Sequence, residues 1–373
     1  MSSEQYLDLS TVAGVFEYTS PTPFATADPS KVVALSGGYF NFIFRLHLST
    51  PFKGHHTVIL KHAKPYGKFD SSVSFSVKRQ FFETEALRNV KKLLPADSFV
   101  TVPEVFLFDE QAHAIFMEDS GEGSITLKES VRQGRVKSAE VAKHIGASLA
   151  QFISLLHDWK SVEKQKLFAG NELGKTFKIQ TYGLLPSTFS PEGQAGLEAF
   201  QVRPIKLSAD EYKAIQEITD HQSQAMAAAD QNIVMGDFWT QNIMLKFQSD
   251  EIARLFVVDW EASSLGIPGV ELGQFCAGVN LLRIFHPETA EITTAIVENF
   301  LRTYKLIRHP DVEQAKHTLM CWGLHLAVWP PRDDWAGPAQ TSEVAEKGLR
   351  LLLDTHSADE AFLRSSLVGE LLR

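Results

Sequence analysis

Cysteine is nearly missing: Cys276 and Cys321 are the two among 373 residues. Neither stands in a CxxC or another metal-like spacing, which excludes a cysteine zinc module and a dithiol redox motif. Two thiols cannot staple a chain of this length, and they read as buried apolar residues. Long apolar runs are missing too. No stretch approaches the about 18 residues of a membrane span, and Met1–Ser20 has no basic segment followed by an apolar one. An intracellular, cytoplasmic and reducing setting is the expectation. Positive charge is also short. Lys and Arg number 36 against 45 Asp and Glu, a net charge of -9. A broad basic footprint for nucleic acid or an anionic membrane is thereby excluded, although a few local donors still suffice for a triphosphate. The histidines have no zinc-like spacing, there is no internal repeat, and no GxxxxGK[ST] loop occurs. What is present is a globular balance, 44% hydrophobic and 22% charged residues. The length calls for two domains or lobes rather than one core.

The pattern changes along the chain. Residues 31–35, 41–48 and 57–62 read as strands, the last ending near Lys61, with Ser36-Gly37-Gly38 as a turn. From Arg79 to Leu94 the apolar Phe82, Ala86, Val90 and Leu93 recur at helical spacing, with Pro95 beyond the end. Strands are expected again at 104–108 and 113–117. The stretch Glu118-Asp119-Ser120-Gly121-Glu122-Gly123 breaks the pattern and reads as a hinge. A helix follows at 140–159, carrying Val141, Ile145, Leu149, Phe152, Ile153 and Leu156 on one face. Two short strands, 243–247 and 255–258, interrupt an otherwise helical second half. Strands with one helix, a hinge, then helices with an embedded hairpin predict an α+β fold in two lobes. The small β-rich lobe is 1–117, the hinge 118–123, and the larger helical lobe 124–373.

Chemistry concentrates in Gly236-Asp237-Phe238-Trp239-Thr240-Gln241-Asn242 and in Val257-Val258-Asp259-Trp260-Glu261. A lone Asp in a loop is by default a turn or cap residue. Here an Asp, an Asn five residues later and a second Asp after a buried strand occur in one order. Phosphoryl transfer needs positioning, charge neutralisation and an acceptor for a hydroxyl proton. Asp237 supplies the proton acceptor, Asn242 a neutral oxygen and Asp259 the main carboxylate for magnesium, which favours oxygen ligands. Glu261 is either a further ligand or a solvated carboxylate. His157, on an apolar helix, reads as a hydrogen-bonded packing residue.

These segments resemble the aminoglycoside phosphotransferase and choline kinase superfamily, whose catalytic loop has the form H-G-D-x-x-x-x-N and is followed by a D-x-E type metal motif. The match spans about residues 31–285. LSGGYFNFIFRL resembles the superfamily's phosphate-covering loop, VILKHAKPY its nucleotide-lysine strand, RQFFETEALRNV its lysine-pairing helix, and Ile115–Asp119 its hinge. The resemblance implies a protein-kinase-like fold, ATP and Mg2+ as cofactors, and a small-molecule hydroxyl as acceptor. It places Gly37, Gly38 and Asn41 on the nucleotide phosphates together with Lys61. Glu83 holds that lysine in preference to Glu85, and the backbone of Met117, Glu118 and Asp119 receives adenine. One departure is Met235, where the superfamily has His; the loop's support must then come from elsewhere. No D-F-G or A-P-E segment is present, so a peptide-docking platform is missing. The superfamily's members that act on hydroxytryptamines share the LSGGYFNFIFRL and FAGNELGKT stretches most visibly, and methylthioribose kinases are similar in their metal pair. A hydroxytryptamine-like aromatic amine, a methylthioribose-like sugar or another amino alcohol are therefore the acceptors in view; a non-catalytic nucleotide-binding scaffold is the alternative of another class. For an aromatic amine, Trp239, Trp260 and Trp329 offer apolar surface and Asp333 or Asp334 a carboxylate for the ammonium; for a sugar, Arg332 and its polar neighbours matter more.

Overall fold

The computed structural model describes residues 7–36, 38, 40–68, 70–190, 192–193, 204–332, 335 and 338–373. The chain forms two compact units, Met1–Ser124 with Met244–Glu261, and Ile125–Ile243 with Ala262–Arg373. The hairpin that sequence order counts with the helical half therefore clusters with the strands.

The first unit holds helix α1 (Val12–Thr19), strands β1 (Val32–Ala34), β2 (Asn41–Phe52) and β3 (His55–Ala63), helix α2 (Arg79–Leu93), and strands β4 (Val100–Thr101), β5 (Val105–Asp109) and β6 (Ala114–Glu118). Its five-stranded antiparallel sheet runs β1-β2-β3-β6-β5. Successive side chains of a strand take opposite faces. On β3, Val58 and Leu60 enter the apolar core with Leu9, Val15, Phe24, Phe44 and Phe116, so Lys61 takes the other face. It does so from a central strand, opposite Ile43 and Ile115. α1 was not anticipated: it is an eight-residue helix capped by Thr11, which accepts from the Gly14 N–H, too short for a clear period.

α2 turns one stripe inward. Arg79, Gln80, Glu83, Thr84, Ala86, Leu87 and Val90 are buried. Arg79 and Glu83 are one turn apart on that stripe, the spacing that lets two side chains act together. After the second unit's first segment come β9 (Ile243–Gln248) and β10 (Glu251–Val257), with β10 parallel to β4.

The second unit begins with β7 (Ile125–Thr126) and continues through α3 (Leu127–Arg132), α4 (Ala139–His157), α5 (Val162–Ala169), α6 (Glu172–Phe189), α7 (Ala209–Ala228) and β8 (Asn232–Val234). It resumes with β11 (Ser264–Gly266), α8 (Pro268–Phe285), α9 (Ala290–Arg308), α10 (Val312–Val328), α11 (Pro338–His356) and α12 (Glu360–Ser365). Ser138 caps α4 by accepting from the Val141 N–H, and the helix buries Ile145, Leu149, Phe152, Ile153 and Leu156. It lies close on α9: a Cβ at Gly146 would stand 2.3 Å from the Ile296 carbonyl oxygen. β8 and β11 pair antiparallel, Val234 opposite Ser264. That short ladder holds the start of the loop bearing Asp237.

Candidate active site

Two constellations of polar side chains stand out, one on each unit. In the first, β3 presents Lys61 to two carboxylates. Its Nζ lies 2.6 Å from Glu83 Oε2 and 2.6 Å from Asp259 Oδ1. Glu85 instead faces Arg88 at 3.7 Å. Asp259 follows β10 with φ 68, a left-handed backbone that Asp tolerates better than bulkier residues. The turn points the next N–H, that of Trp260, at Glu83 Oε1, 3.3 Å away. Glu261 is anchored by the Asn41 amide at 2.8 Å and by Arg79 Nε at 3.2 Å. Arg79 and Gln80 also donate to Asn41 Oδ1, each at 3.2 Å.

Carboxylate oxygens of Glu83, Asp259 and Glu261 lie within 4.8 Å of one another. Burial alone would pull the Lys61 ammonium down, but Asp259, Glu83 and Glu261 outweigh it and hold it above its ordinary value. Burial pushes Glu83 up to about 7, Lys61 opposing and Asp259 adding to the push. Glu261 is raised by burial and by Asp259, against Lys61 and Arg79. Three carboxylates face two cations, so a net negative charge is left to attract a further cation. Hard oxygen donors suit magnesium among such cations.

In the second constellation, the chain leaves β8 through Met235 and Gly236 and exposes Asp237. Gly236 has φ 94, and a Cβ there would stand 2.2 Å from the Ala262 carbonyl oxygen; only glycine fits. Phe238 is fully buried, its ring tilted against Phe275 and stacked with Phe300. The Asp237 carboxylate accepts from Gln274 Nε2 at 2.6 Å on Oδ1 and from Asn242 Nδ2 at 2.8 Å on Oδ2. Asn242 thus spends its NH2 on Asp237.

The loop's support comes from Glu271 in the first turn of α8. The N–H groups of Met235 and Gly236 donate to its two oxygens at 3.3 and 2.7 Å. His157 Nε2 meets the same carboxylate at 2.8 Å, and His157 Nδ1 meets the Tyr304 hydroxyl at 2.9 Å. Burial works against the Glu271 charge, yet His157, Lys178 and the Gly236 N–H hold its carboxyl below the usual range. Met235 itself is buried. Glu271 thereby supplies loop hydrogen bonds that do not depend on a His at that position.

Several sequence assignments change at the level of the side chain. Asn41 is buried and committed to Glu261, Arg79 and Gln80, so it braces the carboxylate cluster rather than reaching a nucleotide. Asp119 forms a two-pronged pair with Arg45 at 2.6 and 2.9 Å, and Glu118 accepts from Lys91 and from the Glu104 N–H. Met117 is buried. Trp260 is wholly buried, its indole N–H donating to the Val257 carbonyl at 2.9 Å; it offers no face to an acceptor. Arg332 donates to the Val328 carbonyl and to Thr188 Oγ1, which occupies its guanidinium. Trp239 and Trp329 are part-buried, and each has an indole N–H shielded from solvent without a hydrogen-bond partner. Gly38 has φ 87; Gly37, Asp333 and Asp334 lie outside the described residues.

Sequence reasoning passed over Arg79, Glu271 and Gln274. A signal existed for the last two: an acid and an amide three residues apart in the mainly apolar first half of a helix, right after Pro268. Such buried polar groups need partners, and both find them in the Asp237 loop.

A model of the phosphotransferase enzyme family matches residues 54–314. The chain is 29% identical over 364 residues to a 4-hydroxytryptamine kinase of Psilocybe cyanescens, covering 95% of this chain and 94% of that protein. It is 26% identical over 375 residues to a 4-hydroxytryptamine kinase of Psilocybe cubensis, covering 97% and 98%. Among solved structures, the ternary complex of streptomycin, ATP and APH(2")-IIa is similar in fold, with a TM-score of 0.50 at 15% identity over 92% of this chain and 98% of that one. No helix among the described residues is long and apolar enough to cross a membrane.

Proposed function

The chain belongs to the phosphotransferase enzyme family, a small-molecule kinase by its relatives, and from that premise we propose that it moves the γ-phosphate of ATP to the hydroxyl of a hydroxytryptamine-like aromatic amine. The carrying observation is the Asp237 carboxylate, oriented on one oxygen by Gln274 and on the other by Asn242. Two amide donors fix its plane, and an oriented carboxylate is what a general base for a hydroxyl proton needs. Asp237 takes that proton as the hydroxyl oxygen attacks phosphorus and ADP leaves.

Lys61, steadied by Glu83, orients the nucleotide phosphates; its burial on a central strand keeps the ammonium in one place. Asp259 and Glu261, with the Asn242 oxygen, are the donors that would hold Mg2+. When bound, Mg2+ neutralises phosphate charge. The backbone of Met117 to Asp119, at the start of the hinge stretch 118–123, receives adenine. The aromatic preference is supported by Trp239 and Trp329, whose orphaned indole N–H groups await an acceptor atom, and by the two relatives named 4-hydroxytryptamine kinase. A cytoplasmic location suits an ATP-dependent enzyme of this charge.

The test is a parallel assay of 4-hydroxytryptamine, methylthioribose, choline and an aminoglycoside with ATP and Mg2+. Turnover of the hydroxytryptamine above the others is the expected result. Turnover of the sugar alone overturns the acceptor, and ATP binding without turnover of any alcohol overturns catalysis.

A further inference from the structure

Arg79, the first residue of α2, has a wholly buried side chain, and the proposed reaction gives it no part. Three of its acceptors are main-chain carbonyls. Nη1 donates to that of Ser76 at 3.0 Å, and Nη2 to those of Lys64 at 3.1 Å and Phe40 at 3.3 Å. They belong to three separate stretches: just before α2, just after β3 and just before β2. A group tied to all three cannot swing without moving backbone. Its remaining nitrogen, Nε, lies 3.2 Å from Asn41 Oδ1 and 3.2 Å from Glu261 Oε2.

The second donor to that Glu261 oxygen is held as firmly. Asn41 Nδ2 donates to Oε2 at 2.8 Å, while Asn41 Oδ1 accepts from Arg79 and from Gln80. Asn41 opens β2 and pairs there with Ala63 of β3. One oxygen of Glu261 thus meets two donors, each fixed by main chain, and every residue of this network lies in the first unit. Arginine suits the position and lysine does not. A planar fork spreads its bonds over several acceptors at set angles, whereas an ammonium is a point charge on a flexible stem.

A carboxylate braced in this way cannot adapt to the ion it meets. Magnesium demands near-ideal octahedral geometry with short bonds, whereas calcium is larger and takes irregular shells with longer ones. We infer that Arg79, with Asn41, holds Glu261 in one orientation and thereby makes the cation site select magnesium over calcium. This rests on the reading of Glu261 as a donor to Mg2+. Arg79 touches no reacting atom and acts through Glu261, so it is a positioning residue. Its charge also offsets that of Glu261. A test of orientation must therefore keep the charge and remove the fork.

The experiment titrates Mg2+ and Ca2+ separately into the protein with ADP present, and follows binding by calorimetry, without turnover. Wild type, Arg79→Lys, Glu261→Gln and the double variant are compared. Arg79→Lys is expected to weaken Mg2+ binding by about ten- to a hundredfold, the scale for losing a group that orients a metal ligand. Ca2+, with its flexible shell, should lose far less, so the preference for magnesium narrows. In the Glu261→Gln background, Arg79→Lys should add nothing, because both changes remove one and the same contact. Equal losses for the two cations, wild-type binding, or the full added loss in that background overturns the role of Arg79. If Glu261→Gln alone binds both cations as wild type does, Glu261 is no ligand and the metal-site reading beneath the inference falls instead. If Arg79→Lys does not fold, Asn41→Ala decides, since it takes the other donor from the same oxygen: an unchanged preference for magnesium sinks the inference.

Discussion

Single residues set the terms of the Asp237 loop. Gly236 combines φ 94 with a carbonyl 2.2 Å from where a Cβ would stand. The obstacle is backbone, which cannot swing aside. Gly236→Ala should therefore move the loop, lowering stability by about 1–3 kcal/mol for the strained conformation and cutting kcat at constant expression. Urea midpoints and initial rates measure both, and a wild-type rate would show that the loop tolerates the shift. Asp237→Asn should keep the fold and ATP binding but lower kcat by about a hundredfold or more, the scale of a lost general base. Lys61→Met should raise KM for ATP, and Glu83→Gln should give a milder form of that defect. Glu85→Gln should not, since Glu85 faces Arg88. His62 gives a pH prediction. Burial pulls it down to about 4 from 6.5, and Nδ1 donates to the Ala112 carbonyl. Below 6.5 the unfolded chain takes up a proton that the folded state refuses, so stability is full above that value and lost as pH falls toward about 4. Between about pH 7 and about pH 5 this one group accounts for about 2 kcal/mol at most. Denaturant midpoints of wild type and His62→Gln at the two pH values check it; identical pH slopes would remove His62 from the account.

Elements act through their termini. Glu271 opens α8, His157 closes α4 and Tyr304 stands on α9, and the three side chains form one hydrogen-bonded chain ending on the loop N–H groups. α4 and α9 pack on each other directly, as the close approach at Gly146 requires. The network thus ties helix packing to the position of Asp237. Removing an interior member leaves buried partners unsatisfied, which costs more than the bond itself. Glu271→Ala should destabilise by about 3 kcal/mol or more, the scale for stranding buried charged partners. Tyr304→Phe, at the network's far end, should cost about 1 kcal/mol. Calorimetry ranks them, and equal effects would show that the loop is held by packing alone. The expected helix at 79–94 and the one at 140–159 appear as Arg79–Leu93 and Ala139–His157, because long apolar periods dominate helix formation. α1 escaped notice for the opposite reason: eight residues give two turns and no repeated stripe.

At the scale of the whole molecule, a ligand that binds only the folded chain raises stability by mass action. At about a hundredfold excess over its Kd the gain is about 2.7 kcal/mol. ATP with Mg2+ should raise Tm, and Asp259→Ala should abolish the Mg2+-dependent part while leaving the apo Tm little changed or higher. The latter follows from relieving a cluster in which three carboxylates lie within 4.8 Å. A Mg2+ titration with the same apparent affinity in both proteins would remove Asp259 from the metal site.

The order of residues was enough to indicate an α+β chain of the phosphotransferase kind, because period, turn chemistry and the Asp237–Asn242–Asp259 spacing are local properties. It also placed Lys61 and Glu83 on elements whose faces follow from simple alternation and helical phase. It could not say which polar groups spend their bonds on one another. Asn41, Trp260 and Arg332 looked available in sequence and are engaged in the fold. Gln274 and Glu271 looked incidental, yet one holds the Asp237 carboxylate and the other the loop that bears it. These contacts join residues tens of positions apart. Burial and partnership are decided when helices and strands pack, since an interior polar group must find its partner wherever the tertiary structure brings one.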